Sequence, residues 1–162
     1  MSVLNGIQGT DWGPLFLCLL GLIPCAIEDA KTKKISFVRL MLFLLLGIAT
    51  GTARIAFGKA DPVGIFAGLL PGTCLMALSL LTPESIGFGD GLAILGIGML
   101  LGFGQTILLL GIALSLAWIR AVVLFAAGKV GRGKTFAFLP FLLAAGTAVF
   151  AGEFTASVIF GR

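Results

Sequence analysis

Long apolar stretches alternate along this chain with short polar connections. The pattern predicts helices over residues 12–27, 37–56, 63–81, 91–103, 105–125 and 138–160. Most of these stretches approach the roughly 20 residues with which a helix crosses about 30 Å of hydrocarbon. We therefore expect an all-α integral membrane protein, a bundle of six transmembrane helices that forms one domain over residues 1–162.

The fourth predicted helix is short for a membrane span. Its roughly 13 residues extend about 20 Å, which is some 10 Å less than the hydrocarbon thickness. Either this helix begins beneath the cytoplasmic surface, or it forms a shallow hairpin with the fifth helix. In the first case Asp90, which precedes the helix, lies inside the membrane boundary.

Composition and charge agree with a membrane protein and orient it. Hydrophobic residues make up 59% of the chain and charged residues 11%, which excludes an ordinary soluble domain. Positively charged loops stay in the cytoplasm, so we expect both termini to be extracytoplasmic. The net charge of +4 is explained by these loops, and we expect no nucleic-acid partner. Two loop regions that fall on one side of the bundle carry seven of the 11 basic residues: Lys31, Lys33, Lys34, Arg39, Lys129, Arg132 and Lys134.

The residue types restrict the chemistry to carboxylates. The absence of histidine excludes Ser-His and Cys-His nucleophiles and the HExxH zinc site. Cys18, Cys25 and Cys74 lie in apolar stretches without a CxxC pair, so they are interpreted as packing residues. No nucleotide-binding loop is visible, and we expect neither a metal nor a cofactor.

The predicted topology brings two aspartates to the same membrane face. Asp29 ends the first helix and Asp90 begins the fourth, and the chain crosses the membrane twice between them. Glu28 and Glu84 share that face. Two neighbouring carboxylates share one proton, so one can activate water while the other polarises a peptide carbonyl.

Each aspartate also has a simpler interpretation. Asp90 lies among Gly87, Gly89 and Gly91, which allow positive φ and close approach of a substrate, yet it is equally interpreted as a helix N-cap after a flexible turn. Asp29, taken alone, is interpreted as a solvated charge beside the lysine cluster.

Taken together, the motifs resemble a known family. Asp29 stands six residues before Ile35, residues 87–90 read Gly-Phe-Gly-Asp, and residues 140–142 read Pro-Phe-Leu. Over nearly the whole chain this pattern resembles the prepilin peptidase (type IV leader peptidase) family of GxGD aspartic membrane proteases. The resemblance implies that Asp29 and Asp90 are the catalytic pair and that Gly87 and Gly89 shape the active-site loop.

The chain departs from the family pattern at three places. Ser36 replaces a frequent Pro, and Gly91-Leu92 replaces a frequent Val-Lys, which removes a cation near Asp90. The N-terminal region with paired cysteines that accompanies methylation in larger members is not seen. The resemblance therefore implies a short form that cleaves without methyl transfer.

By resemblance, the substrate is a type IV prepilin or pseudopilin with a short basic leader, a Gly before the scissile bond and an apolar helix. Cleavage would occur at the cytoplasmic face of the cell membrane. Glu28 and Glu84 are candidate contacts for the basic leader, although the sequence favours their interpretation as solvated loop charges. The competing class is a non-enzymatic transporter or pilus-assembly subunit whose aspartates bind cations or join helices.

Helix dipoles suggest which aspartate is ionised. Asp90 is predicted at a helix N-terminus, where negative charge is favoured, and Asp29 near a C-terminus beside Glu28. The sequence therefore predicts that Asp90 is the ionised base and Asp29 its protonated partner.

Overall fold

The computed structural model describes residues 12–32, 36–81, 87–128 and 137–160. This part of the chain is all-helical and contains no strand, which confirms the predicted all-α fold class. Its helices are α1 (Trp12–Thr32), α2 (Phe37–Ala56), α3 (Pro62–Ala67), α4 (Leu69–Leu81), α5 (Phe88–Leu101), α6 (Phe103–Ala126) and α7 (Leu139–Phe160).

Several helices have the length and apolarity of membrane spans. Four stretches of the described chain are long and apolar enough to cross a bilayer: Gly13–Thr32, Phe37–Ala56, Pro62–Leu81 and Phe103–Ala126. The third of them includes α3 and α4, which Gly68 separates. Phe88–Leu101 and Leu139–Thr155 are shorter apolar helices. The chain therefore has the character of a membrane-embedded helical protein.

Two helix ends differ from the sequence prediction in ways that affect the aspartates. The first helix continues to Thr32, five residues beyond the predicted end, since Glu, Ala and Lys favour helix although they interrupt the apolar pattern. The fourth predicted helix corresponds to α5, which begins at Phe88 rather than at Gly91. Both aspartates consequently lie within terminal helical turns and not in loops.

The short helix α5 occupies the centre of the bundle. Eight of its residues are buried, and α2 and α4 pack closely against it. Glycines bring the backbones together: a Cβ added at Gly47 of α2 would lie 2.7 Å from the Gly96 carbonyl oxygen, and one at Gly72 of α4 would lie 2.6 Å from the Leu95 nitrogen. Backbone contact of this kind fixes the position of a helix between its neighbours.

The end of α5 remote from Asp90 is held by a cation. Nη1 of Arg54, near the end of α2, donates a hydrogen bond of 2.8 Å to the Leu100 carbonyl oxygen. A guanidinium at a helix C-terminus satisfies a carbonyl that has no partner within the helix. Beyond it, Gly102 adopts φ 82°, a left-handed conformation that lets the chain turn directly into α6.

Candidate active site

Asp29 is a buried carboxylate in the last turn of α1. Only 6% of its surface is exposed, and its Oδ2 accepts a hydrogen bond of 3.1 Å from the backbone N–H of Leu139. Because Leu139 is the first residue of α7, a side chain from the end of one helix caps the beginning of another. The interpretation of Asp29 as a solvated charge beside the lysines is therefore wrong.

Asp90 lies in the first turn of α5 and is half-buried. The N-cap of that helix is Gly87, whose carbonyl oxygen accepts a hydrogen bond of 3.0 Å from the Asp90 N–H. The alternative interpretation of Asp90 as the N-cap is therefore wrong. Its carboxylate folds back over the turn, so that a Cβ at Gly87 would lie 3.1 Å from Asp90 Oδ2.

The glycines around Asp90 serve through their lack of a side chain and not through positive φ. Gly87 is extended, with φ −70° and ψ 126°, and Gly89 and Gly91 are helical. A Cβ at Gly91 would lie 2.7 Å from Cγ of Met76, so this position is small because α4 packs against it. The positive φ that these glycines allow is therefore not used at Gly87, Gly89 or Gly91.

One apolar cluster lies next to both aspartates. It joins the carboxyl end of α1 to the amino ends of α2, α5 and α7. Its buried members are Cys25, Ala26, Leu40, Leu92, Ala93 and Leu139. Cys25 and Ala26 lie within four positions of Asp29, and Leu92 and Ala93 lie within three positions of Asp90, so both carboxylates stand at one edge of this cluster.

The two carboxylates interact electrostatically. Burial disfavours the ionised form of Asp90, and the negative charge of Asp29 adds to that cost. Two neighbouring carboxylates in a poorly solvated place are favoured to hold one proton between them. Such a pair has the chemical parts for activating water, with one member as base and the other as hydrogen-bond donor.

Glu28, the neighbour of Asp29, has other partners. Its Oε2 accepts a hydrogen bond of 3.0 Å from the N–H of Ser36, the N-cap of α2, and lies 3.3 Å from Nη1 of Arg39. Glu28 therefore joins the α1–α2 connection. Its predicted contact with a substrate leader stays a prediction, and Glu84 lies outside the described residues together with Lys33 and Lys34.

The structure shows two contacts at the start of α7 that the sequence did not predict. One is the Leu139 hydrogen bond, whose partners are 110 residues apart in sequence. The other is a cation–π contact, in which Cζ of Arg120 lies 5.6 Å from the centre of the Phe141 ring. Pro140 in the sequence is compatible with the start of a helix. Nothing in the sequence indicates that this helix start contacts Asp29 and Arg120.

Comparisons of the chain with protein-family models, with curated proteins and with solved structures found no match. The arrangement of the side chains is therefore the basis on which a function is assigned.

Proposed function

We propose that this chain is a membrane-embedded aspartic endopeptidase of the prepilin peptidase type. It removes the short basic leader from type IV prepilins or pseudopilins, with Asp29 and Asp90 activating the water that attacks the peptide bond. The observation that carries the proposal is the convergence of these two carboxylates from separate helices over one apolar cluster.

The proposed reaction needs only this pair and water. The ionised aspartate takes a proton from water while the oxygen of that water bonds to the scissile carbonyl carbon. The protonated aspartate donates a hydrogen bond to the carbonyl oxygen as negative charge develops there. When the carbon–nitrogen bond breaks, the proton taken from water passes to the leaving amine, and the pair again holds a single proton.

The membrane arrangement is part of the same proposal. The helices cross the cell membrane six times, with both termini extracytoplasmic and the aspartates at the cytoplasmic face. Helix α5, at 14 residues, covers about 21 Å and so begins beneath that face. This depth suits a substrate whose cleavage site joins a polar leader to an apolar helix lying in the bilayer.

The leader is the basic part of the proposed substrate. Glu28 is engaged by Arg39, whose side chain is half exposed, at the same end of the molecule as Asp29. A leader cation reaches Glu28 by taking the place of Arg39. Through this exchange Glu28 is a candidate contact for the leader, and no separate acidic pocket is needed.

Co-expression with a prepilin whose leader ends in Gly tests the activity. Processing is expected with the natural chain and with Asp61→Asn, because Asp61 lies outside the proposed site and caps α3 through an oxygen that Asn retains. Processing is expected to be lost with Asp29→Ala and with Asp90→Ala, each expressed at the natural level. Unchanged processing with either variant would contradict the catalytic pair and favour a non-enzymatic transporter or assembly subunit.

A further inference from the structure

We infer that the first turn of α7 is a third component of the proposed site, in which the Leu139 N–H positions Asp29 and stabilises its negative charge. Asp29 is then the ionised aspartate and Asp90 the protonated one. The catalytic meaning of this inference rests on the proposed function, whereas the hydrogen bond and the charge do not.

The backbone groups that follow Leu139 at the start of α7 are not available to Asp29. Phe141 and Leu142 donate their N–H groups to the Phe138 carbonyl oxygen at 3.0 and 3.3 Å, and Pro140 has no N–H. The N–H of Leu139 is the next donor of this turn, and it reaches Asp29 Oδ2 at 3.1 Å. Burial disfavours the charged form of Asp29, and the backbone N–H groups of Leu139 and Phe138 oppose that effect.

This geometry reverses the order expected from helix dipoles. Asp29 lies near the C-terminus of α1, but its carboxylate meets the N-terminus of α7, where negative charge is favoured. A hydrogen bond to a charged group contributes more than the dipole of an exposed helix end. The N-cap position beside Asp90 is held by Gly87, which has no side chain to neutralise or bind that carboxylate.

Within the part of the chain that the structure describes, the other charged groups near Asp29 do not oppose this order. Glu28, its neighbour on α1, is paired with Arg39 of α2. Lys31 is exposed on the same helical turn, and a cation near the site favours the ionised form of Asp29. Arg120 of α6 lies over Phe141 in the first turn of α7, and from α5 the facing group is Asp90 itself.

The roles in the reaction follow from this charge distribution. Asp29 takes the proton from water through Oδ1, since Oδ2 is the oxygen bound by Leu139. Asp90 donates its proton in a hydrogen bond to the carbonyl oxygen of the substrate. Leu139 is a positioning residue that acts through its backbone, so its side chain is not the group that the reaction uses.

Two substitutions at one position separate the backbone donor from the side chain. Leu139→Pro removes the N–H, and proline is well accepted as the first residue of a helix. Leu139→Ala removes the buried side chain and keeps the N–H, so it is the matched control. Both variants lose a similar apolar contact, and they differ in the hydrogen bond to Asp29.

Infrared titration of the full chain in lipid nanodiscs, without substrate, measures the charge directly. Bands are assigned by their loss in Asp29→Asn and Asp90→Asn. At neutral pH we expect the ionised band from Asp29 and the protonated band from Asp90, in the natural chain and in Leu139→Ala. In Leu139→Pro the midpoint for Asp29 is expected about one pH unit higher than in Leu139→Ala. Equal midpoints, or a proton on Asp29 in the natural chain, would overturn the inference.

Two further measurements keep the inference independent of folding and of activity. If Leu139→Pro does not fold, the ¹³C chemical shift of the Asp29 carboxyl carbon in the natural chain decides: an ionised carboxylate supports the inference and a protonated one overturns it. If the infrared shift is found but the natural chain cleaves no prepilin peptide, the inference about charge stands and the proposed function fails.

If the natural chain does cleave, the acid limb of its pH–rate profile is expected to move to higher pH in Leu139→Pro than in Leu139→Ala. An acid limb at the same pH in both variants would contradict the assignment of Asp29 as the base.

Discussion

Glu28 and Asp29 are adjacent in sequence and have different partners. Successive helical residues point about 100° apart, so the two carboxylates at the end of α1 face different neighbours. Glu28 joins the start of α2 through Ser36 and Arg39, whereas Asp29 joins the start of α7 through Leu139. One polar turn thus ties three helices together at the end of the bundle that carries the proposed site.

Replacement of Glu28 tests how much its contacts contribute to the stability of the protein. In Glu28→Ala the Ser36 N–H loses its acceptor, and we expect a decrease of about 1 kcal/mol in the free energy of unfolding, the usual cost of losing a helix cap. Glu28→Gln keeps an acceptor oxygen and is expected to lose less than half of that. Thermal unfolding in one detergent measures both, and equal losses in the two variants would contradict the capping role.

Gly87 controls the space available to the Asp90 carboxylate. In Gly87→Ala the new methyl group would lie 3.1 Å from Oδ2, so the carboxylate has to shift by a few tenths of an ångström. Small displacements of a catalytic group are costly, and we expect prepilin cleavage to fall at least tenfold while the helical content is retained. Gly111→Ala is the control, since a Cβ there meets nothing within 4 Å. Equal activity in the two variants would contradict the assigned role of Gly87.

The chemical character of the site could be predicted from the residues present, but its contacts could not. Without histidine, and with two aspartates at the predicted ends of helices, the sequence leaves a carboxylate pair as the best candidate. The burial of Asp29 depends on Leu139, a residue distant in sequence whose contribution is a backbone N–H. Every residue except proline offers such a group, so no pattern of residue types identifies it.

At the scale of helices, α5 determines where Asp90 lies. It is apolar on all sides because it is surrounded, and it contacts α2 and α4 through backbone at Gly96 and Leu95. Arg54 holds its far end at Leu100. A helix held in this way has little freedom to move along its axis, so the depth of Asp90 is set by contacts remote from it.

Enlargement of a glycine at the α2–α5 contact tests this arrangement. In Gly47→Ala the methyl group would lie 2.7 Å from the Gly96 carbonyl oxygen, and the two helices must separate. We expect a loss of about 1–3 kcal/mol in the free energy of unfolding, as for other overpacked contacts. Gly152→Ala is the control, because a Cβ there meets nothing within 4 Å. If both variants unfold at the same temperature, the close contact is not a source of stability.

The helices themselves were well predicted, because runs of apolar residues bounded by polar ones are a strong signal in a membrane protein. The errors concern ends and breaks. Helix α1 continues to Thr32 through charged residues, and the third predicted span divides at Gly68 into α3 and α4. Apolarity marks the part of a helix that crosses the bilayer, whereas hydrogen bonding decides where the helix ends.

At the scale of the molecule, the distribution of charge gives the proposed orientation. The last turn of α1 carries Lys31, which belongs to the basic cluster predicted to be cytoplasmic. Lys59 and Asp61 lie between α2 and α3 at the opposite end. In the proposed arrangement, six crossings would place the aspartates beside the cluster predicted to be cytoplasmic. A leader that enters from the cytoplasm then meets the pair without crossing the membrane.

Labelling of single cysteines tests that orientation. In a chain whose natural cysteines are replaced by alanine, we expect Lys59→Cys to react with a membrane-impermeant maleimide in intact cells. Lys31→Cys, exposed at the other end, is expected to react only after the membrane is opened. The positive-inside distribution of basic residues is the physical reason. The reverse labelling pattern would place the aspartates at the extracytoplasmic face.

Cleavage of a prepilin segment by the purified protein shows whether Asp29 and Asp90 together hydrolyse the leader. The chain in lipid nanodiscs is mixed with a synthetic prepilin segment, and mass spectrometry identifies the products. We expect cleavage after the Gly of the leader by the natural chain and by Asp61→Asn, and at least a roughly thousandfold slower cleavage by Asp29→Asn and Asp90→Asn. Cleavage by either of these two variants at the natural rate, or no cleavage by the natural chain, would contradict the proposed function.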